Sequence, residues 1–228
     1  MNFKKEVAAK AISLVSAHDI VGLGAGSTIA YAVEFLKKKK IEEGLVVEFV
    51  TSSFSTMQLL VKEKLPVFPA SSFKEIDIYF DGCDQFDKQL NALKSGGGIH
   101  TQEKLLASMA KQFVLVGDES KLADVFDAKY PLVLEIVPQA FSFTPYKIKQ
   151  LYKGINMSMR MNDQKDGPVI TENGNYLLDI YFERWPALPG INPAFKSIAG
   201  VVETSLFYGI AHKAIIAGEN GVRTLEKN

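Results

Sequence analysis

The sequence of 228 residues contains one cysteine, Cys83, and no long apolar run. A single cysteine cannot form an internal disulfide, and the opening stretch MNFKKEVAAKAISLVSAHD has the pattern of an amphipathic helix rather than of a signal peptide. No segment approaches the roughly 20 continuous apolar residues that cross a bilayer. We therefore expect a soluble, cytoplasmic protein with no membrane partner.

An excess of charge of either sign is also missing. The chain has 26 Lys and Arg residues against 26 Asp and Glu residues, so no general field attracts nucleic acid, and any anion must be bound by a local site. Internal repeats and low-complexity tracts are absent as well. What the chain does have is 47% hydrophobic residues, which is enough to bury a full core.

The first half of the chain alternates between extended and helical patterns. Apolar strands are predicted at DIVGL, LVVEFV, IDIYFD and FVLVGD, and amphipathic helices at the N-terminus, after GLGAGST, after TSSFST and at TQEKLLASMAKQ. Strands that alternate with helices indicate an α/β fold with a mostly parallel sheet covered on both faces.

The pattern changes after Tyr130 and predicts a small α+β insert. The segments PLVLEIVP, FTPYKIKQLYKG, INMSMRMN, GPVITENGNYLLDIYF and NPAFKSIAG indicate strand, helix, strand, hairpin and helix, with NGN at 173–175 as the hairpin turn. The last segment, GVVETSLFYGIAHKAIIAGENGVRTLEK, is expected to return as strands to the main sheet. We predict a main domain at 1–128 and 204–228 and a small domain at 129–203.

The loop GLGAGST, Gly22 to Thr28, follows a predicted strand and precedes a helix. Such a loop presents backbone N–H groups at the positive end of a helix, where a phosphate can bind, and Ser27 and Thr28 add hydroxyl donors. It lacks the third glycine of a dinucleotide fingerprint and the lysine of a P-loop, so neither NAD nor ATP is expected. A tight glycine turn capped by Ser or Thr is the alternative reading.

A denser cluster of polar residues lies between Asp81 and Lys104. Asp81 ends a predicted strand and Asp84 follows it, at the sheet edge where ligands of parallel α/β proteins bind. Lys94 precedes a Ser-Gly-Gly-Gly run that lets the backbone approach a ligand. Glu103 falls in the first turn of the next helix, where it serves either this site or simply the helix dipole.

The remaining polar residues near the cluster receive structural interpretations. His18, His100 and His212 have no metal-ligand spacing, and no metal is assigned. Cys83 is expected to fill space behind the loop rather than to act as a nucleophile. We expect Asp87 and Lys88 to be surface charges of the loop, and Lys104 to cover the surface of its helix rather than to take part in the chemistry. Trp185 is expected to pack or to contact a subunit, and Thr51 and Ser52 to cap the next helix or to line the pocket.

Six segments, VGLGAGST, TSSFST, YFDGCDQ, LKSGGGIHTQEK, GDESK and GVVETSLF, resemble in order and spacing those of the type A ribose-5-phosphate isomerase family. The resemblance implies a Rossmann-like domain with a smaller α+β, ferredoxin-like domain, and no cofactor. It also implies interconversion of D-ribose 5-phosphate and D-ribulose 5-phosphate through an enediolate, in the non-oxidative branch of the pentose phosphate pathway. A homodimer, or a homotetramer, with a small sugar phosphate as its partner is expected.

The resemblance also assigns residues. Glu103 matches the family's general base, with Asp81, Asp84 and Lys94 as the other catalytic groups. The implied substrate-binding residues are Ala25, Gly26, Ser27, Thr28, Asp81, Gly82, Cys83, Asp84, Lys94, Ser95, Gly96, Gly97 and Lys121.

Three positions depart from the family's usual motifs. Ala25 stands where a threonine is usual, which removes one hydroxyl worth roughly 1 kcal/mol if it bonds phosphate. Gln85 replaces an acid and alters the local charge. Ser95 replaces the first glycine of the loop, so the question is whether a side chain tolerates the backbone angles there.

Two rival functions remain open at this point. A sugar-phosphate sensor of the same fold would bind the ligand without turnover, and its expected mark would be loss of Glu103 or Lys94, both of which are present. A coenzyme A transferase of related fold would use a glutamate as nucleophile, but the chain is short and shows no second catalytic half.

Overall fold

The computed structural model describes residues 2–227, and two residues of the predicted main domain, Met1 and Asn228, lie outside the described part. Its helices are α1 (Phe3–Ile12), α2 (Ser27–Glu43), α3 (Phe54–Lys62), α4 (His100–Met109), α5 (Phe143–Leu151) and α6 (Ile191–Lys196). Its strands are β1 (Ile20–Leu23), β2 (Glu48–Thr51), β3 (Ile76–Asp81), β4 (Gln85–Phe86), β5 (Ala92–Leu93), β6 (Ala110–Asp118), β7 (Leu132–Ile136), β8 (Asn156–Met159), β9 (Tyr176–Tyr181), β10 (Val201–Thr204), β11 (Leu206–Phe207), β12 (Lys213–Gly218) and β13 (Gly221–Glu226). Within residues 2–227, no helix has both the length and the apolar character needed to span a membrane.

The main sheet has six strands in the order β13-β12-β6-β3-β1-β2. Neighbouring strands are parallel except for β13, which is antiparallel to β12 at the edge. One face packs against α1, α2 and α3 through buried residues such as Val7, Leu36 and Leu60, and the other packs against α4 through Leu106 and Ala107. The predicted parallel sheet with helices on both faces is confirmed.

A second, antiparallel sheet has the order β10-β7-β9-β8 and packs against α5 and α6. The predicted turn at 173–175 is confirmed, since Gly174 has a φ of 77° and its amide donates to the carbonyl of Thr171. The first arm of the predicted hairpin is not a regular strand, because only isolated bridges join Pro168 to Met161 and Ile170 to Tyr176. Proline has no amide to donate to a ladder, which explains the interruption.

The prediction for the last segment is wrong in part. Only β12 and β13 return to the main sheet, whereas β10 pairs with β7 in the antiparallel sheet. The two residues of β11 pair with β5, which also pairs with β4, in a separate three-stranded sheet. An extended pattern predicts a strand but not its partner, and two-residue strands leave no periodicity from which to predict them.

Candidate active site

A cavity of about 300 Å³ opens at the carboxyl ends of β1 and β3, between the loops that follow β1, β3 and β5. Parallel α/β sheets bind ligands at this edge. The cavity is lined by Ala25, Gly26, Asp81, Gly82, Cys83, Asp84, Lys94, Gly96, Gly97, Ile99 and Glu103. Ten of the fourteen sequence-predicted site residues therefore meet in one place.

Asp81 is the last residue of β3 and is almost fully buried. Its Oδ1 accepts from the amides of Gly82 at 2.8 Å and Ala25 at 3.2 Å, and its Oδ2 lies 2.9 Å from Lys94 Nζ. The loop after the neighbouring strand β1 leaves room for the carboxylate only because Gly24 has no side chain, since a Cβ there would lie 2.0 Å from Asp81 Cγ. These contacts fix the carboxylate in one orientation.

Lys94 follows β5 and is the cation of the site. Its Nζ lies between Asp81 and Glu103, 3.2 Å from Glu103 Oε1, and also donates to the carbonyl of Gly82. Burial opposes its charge, yet the two carboxylates hold the pKa of Lys94 well above its ordinary value. Lys94 therefore stays charged inside the cavity.

Glu103 lies in the first turn of α4 with only 4% of its surface exposed. Burial raises the pKa of Glu103 to about 8, and the negative charge of Asp81 acts in the same direction while Lys94 opposes it. The upward direction follows from the composition of the cluster, because two buried carboxylates share one cation. Glu103 can consequently gain or lose a proton near neutral pH, as a general acid–base group must.

Asp84 organises the glycine loop. Its Oδ2 accepts from the amides of Ser95 at 2.5 Å and Gly96 at 3.0 Å, so these amides are directed to a carboxylate and not into the cavity. Ser95 avoids the left-handed region, which Gly97 and Gly98 occupy with φ of 69° and 72°. Its hydroxyl donates to the carbonyl of Pro131 at 2.6 Å, so the loop accommodates serine at this position.

Four of the sequence-predicted residues are not part of the cavity lining: Ser27, Thr28, Ser95 and Lys121. Ser27 and Thr28 form the first turn of α2 directly after Gly26, which has a φ of 100° and lines the cavity. Lys121 ends a short 3-10 helix after β6, the strand beside β3. Ser27, Thr28 and Lys121 thus lie on segments that border the same sheet edge as the cavity.

Of the two predicted surface charges, Lys88 is exposed as predicted and Asp87 is buried, so the prediction for Asp87 is wrong. Lys104 is half-buried and binds Glu203 Oε1 at 2.9 Å and the Thr204 hydroxyl at 3.1 Å, and desolvation lowers its pKa to about 8. Asp87 is buried because it accepts from the amides of Gln89 and Asn91, both at 2.9 Å, within a turn. Each partner is distant in sequence or supplied by the backbone, so the local pattern gave no sign of burial.

His100 and Cys83 are placed as space-filling side chains rather than reactive ones. His100 is fully buried, does not line the cavity, and has its pKa lowered by burial to about 4. Burial likewise raises the pKa of the Cys83 thiol to about 12, so it stays protonated. No group of three or more His, Cys, Asp or Glu side chains within residues 2–227 has the arrangement of a metal site.

Three further positions receive a structural account. Gln85, in place of an acid, accepts from the amide of Asp127 at 2.7 Å. Trp185 packs edge-on against Phe126 with ring centroids 5.3 Å apart, which agrees with the predicted packing role. The cap of α3 is Ser53, and neither Thr51 nor Ser52 caps that helix.

The sequence analysis missed Tyr79. Its hydroxyl lies 2.6 Å from Asp81 Oδ2 and 3.1 Å from the Ser52 hydroxyl, inside the main core. The available signal was its position two residues before Asp81 in a strand, because residues i and i+2 share a face.

A buried acid–base cluster in a cavity at the carboxyl edge of a parallel sheet defines an enzyme that moves protons on a small polar ligand. Residues 48–221 match the model of the family described as ribose 5-phosphate isomerase A (phosphoriboisomerase A). The chain is 37% identical to the ribose-5-phosphate isomerase A of Methanothermobacter thermautotrophicus over 225 residues, which cover 99% of this chain and 98% of that protein. The chain belongs to the ribose 5-phosphate isomerase A family, and it is an aldose–ketose isomerase.

Solved structures agree with this placement. The ribose 5-phosphate isomerase A of Methanocaldococcus jannaschii superposes with a TM-score of 0.91 at 33% identity, covering 98% of each chain. A D-ribose-5-phosphate isomerase solved in complex with phospho-erythronic acid superposes with a TM-score of 0.91 at 32% identity, covering 99% of this chain and 100% of that one. The predicted Rossmann-like α/β fold with a smaller domain is confirmed.

Proposed function

We propose that the cavity interconverts D-ribose 5-phosphate and D-ribulose 5-phosphate by proton transfer through Glu103. The observation that carries this proposal is the buried contact between Glu103 and Lys94, 3.2 Å apart, on the wall of the cavity. A carboxylate that can hold a proton near neutral pH lies beside a fixed positive charge. This pair meets the two needs of the reaction, a base for carbon and a charge that stabilises oxygen.

The first step is opening of the sugar ring. Only the open chain has an acidic hydrogen on C2, so the anomeric hydroxyl proton must be removed and the ring oxygen protonated. Asp81 is held as a hydrogen-bond acceptor by two amides and Lys94, which suits it to accept from a sugar hydroxyl. Asp84, whose Oδ2 holds the glycine loop, has its other oxygen available for a second hydroxyl.

Isomerisation follows on the open chain. Glu103 removes the C2 proton, the electron pair forms the C1–C2 double bond of the enediolate, and negative charge develops on the C1 oxygen. The Lys94 ammonium stabilises that charge more strongly in the transition state than in the aldose. Glu103 then returns the proton to C1, a proton moves from the C2 hydroxyl to the C1 oxygen, and the ketose forms.

The phosphate is assigned to the rim of the cavity beside Ala25 and Gly26. There the first turn of α2, a 17-residue helix, presents its amides and the Thr28 hydroxyl at the positive end of the helix dipole. Lys121 supplies a cation from the neighbouring loop. The relative solved in complex with phospho-erythronic acid supports a phosphorylated sugar derivative as the ligand. The carboxylate of that acid is planar and anionic, as an enediolate is.

Ribose 5-phosphate turnover tests the function, and the phosphate contacts test the placement. The wild type should produce ketopentose, free ribose should be a poor substrate, and phospho-erythronic acid should compete with the sugar phosphate.

Thr28→Ala and Lys121→Ala should chiefly raise KM, because both groups hold a part of the substrate that does not react. The matched control is Lys153→Ala, since Lys153 is exposed on the small sheet's side of the molecule. If both rim variants kept the preference for the phosphorylated sugar, the phosphate would have to bind elsewhere. Binding of ribose 5-phosphate by the wild type without turnover would favour a sugar-phosphate sensor.

The same proposal includes the setting in which the enzyme works. On the strength of the family resemblance, we propose that the enzyme works in the cytoplasm as a homodimer. The separate antiparallel sheet within residues 132–204 supports a small domain at 129–203. Sedimentation equilibrium gives the oligomeric state directly, and a monomer mass at micromolar concentration would contradict the homodimer.

A further inference from the structure

Tyr79 is a fully buried tyrosine whose hydroxyl contacts the proposed catalytic carboxylate of Asp81. Its ring packs against Phe113 with centroids 5.3 Å apart, and its hydroxyl lies 2.6 Å from Asp81 Oδ2. Tyr79 does not line the cavity, so the hydroxyl reaches Asp81 from the core side while the substrate arrives from the opposite side. Nothing in the proposed proton transfers uses this group.

Two glycines, one in the neighbouring strand β1 and one directly after it, make room for this arrangement. Gly22 of β1 pairs in register with Tyr79 of β3, and a Cβ on Gly22 would lie 2.6 Å from the tyrosine ring. A Cβ on Gly24 would lie 2.0 Å from the Asp81 carboxyl carbon. The first two glycines of GLGAGST therefore accommodate Tyr79 and Asp81, whereas Gly26 is the one of the three with a positive φ, of 100°.

The direction of the hydrogen bonds follows from counting protons. Tyr79 has one hydroxyl proton, and the carboxylate of Asp81 can only accept, so Tyr79 donates to Asp81. The Ser52 hydroxyl, 3.1 Å from Tyr79 Oη, must then be the donor to the tyrosine oxygen. Burial first, and the charges of Asp81 and Glu103 next, raise the pKa of Tyr79 well above its ordinary value, so the donor keeps its proton.

We propose that Tyr79 is a positioning residue that keeps Asp81 ionised and fixed, so that the proton shared by the two carboxyls of the site is held by Glu103. The inference rests on the proposed function, whose roles for Asp81 and Glu103 it deepens. The charged and titratable groups that face this hydrogen bond are Asp81 on the same strand, Lys94 from the loop after β5, and Glu103 from α4. A donor to Asp81 stabilises every state in which Asp81 is ionised, including the one in which both carboxyls are.

Tyr79→Phe removes the donor and keeps the ring. Without the hydroxyl both states with an ionised Asp81 lose a donor, whereas the state with the proton on Asp81 loses none. The proton therefore moves in part from Glu103 to Asp81, and the pair holds its last proton to a higher pH. The acid limb of the kcat/KM profile should move upward by up to about one pH unit. Activity should accordingly fall by up to about tenfold at pH 6.5, which lies below the acid limb of both proteins, and the deficit should shrink above pH 9. A loss of packing alone would lower activity equally at every pH.

The experiment compares the pH profiles of kcat/KM for the wild type, Tyr79→Phe and Tyr152→Phe with ribose 5-phosphate. Tyr152→Phe is the matched control, because it removes a hydroxyl from a ring that stacks on Phe195 in the core of the antiparallel sheet. Ser52→Ala, which removes the donor to Tyr79, should shift the acid limb in the same direction by less. An unshifted limb in a folded Tyr79→Phe protein overturns the proposal, and if that variant does not fold, an unshifted limb in Ser52→Ala does so.

A measurement without substrate separates this inference from the proposed function. Carbon-13 NMR of the Asp81 and Glu103 carboxyl carbons follows the proton of the pair directly as pH is raised. We expect the pair in Tyr79→Phe to release its proton at a higher pH than in the wild type. A wild type that fails to isomerise ribose 5-phosphate would overturn the proposed function, whereas identical titrations in the two proteins would overturn the role of Tyr79.

Discussion

At the scale of single residues, the site consists of two buried carboxylates and one buried cation. Asp81 and Glu103 both contact Lys94 Nζ, at 2.9 Å and 3.2 Å. One lysine cannot neutralise two carboxylates inside a protein, so one of the carboxyls keeps a proton to unusually high pH. The same arrangement that suits Glu103 to its proposed role as the base also makes its ionised form destabilising for the fold.

The stability of the protein should therefore rise when Glu103 is replaced. The folded pKa of about 8 lies above the ordinary 4.5, so between these values the folded protein holds a proton that the unfolded chain has released. The free energy of unfolding of the wild type then decreases as pH rises from about 4.5 to about 8. Glu103→Gln lacks this penalty, and we expect its Tm to exceed that of the wild type increasingly from pH 5 to pH 8.

Glu172→Gln provides the control for this comparison, because the same chemical change is made at an exposed position. Thermal unfolding at pH 5, 6.5 and 8 is sufficient. A Tm difference for Glu103→Gln that stays constant over this range would mean that Glu103 is already ionised at pH 5.

At the scale of elements, the loop after β5 holds its shape by backbone conformation as well as by Asp84. Gly96 and Gly97 are both exposed on the cavity, and a Cβ on either would meet its nearest neighbour at 3.7 Å. Only Gly97 has a left-handed φ, of 69°. The two positions thus differ in backbone strain and hardly at all in available space.

Alanine substitutions at these two glycines separate strain from crowding. Gly97→Ala should lower the free energy of unfolding by about 1 kcal/mol more than Gly96→Ala, because a side chain in the left-handed region carries that cost. Urea unfolding of the two variants measures the difference. Equal losses would show that the loop relaxes to another conformation when a side chain is added.

The elements of the main sheet could be predicted well from the sequence, and the pairing of the later strands could not. IDIYFD and FVLVGD end at Asp81 and Asp118 as predicted, because continuous apolar runs that stop at an acid define buried parallel strands. The prediction failed for β10, since the pattern of VVET is equally compatible with either sheet edge. Tyr79 was missed for a related reason: its ring reads as core, and only the geometry shows where its hydroxyl points.

At the scale of the whole molecule, contacts from the antiparallel sheet and the residues beside it hold both the glycine loop after β5 and the start of α4. Arg160 donates to the carbonyl of Ser95 at 2.8 Å while it pairs with Asp179, which anchors the glycine loop. Glu135 accepts a hydrogen bond from Thr101, which lies at the start of α4, two residues before Glu103. Lys104, the residue after Glu103, binds Glu203. Four donors keep the pKa of Glu135 below its usual range despite burial.

These long-range contacts explain which part of the site the sequence could not predict. Asp81, Asp84, Lys94 and Glu103 stand out because their types and spacing fit the chemistry of proton transfer. Glu135 and Arg160 lie in the predicted small domain, 32 and 57 residues beyond Glu103 in the numbering of the chain, with no local motif. Their positions depend on how the antiparallel sheet packs, and no pattern of period 2 or 3.6 specifies that packing.

The central claim is that Glu103 carries the proton between C2 and C1, and deuterium exchange tests it most directly. In D₂O the wild type and the Glu172→Gln control should incorporate deuterium from the solvent at C1 of ribulose 5-phosphate and at C2 of ribose 5-phosphate. Glu103→Gln keeps the shape of the side chain but cannot accept a proton, so exchange and kcat should both fall by at least about a hundredfold while ribose 5-phosphate still binds. Exchange at near-native rates in a folded Glu103→Gln protein would contradict the account, and the base would then have to be Asp81 or Asp84.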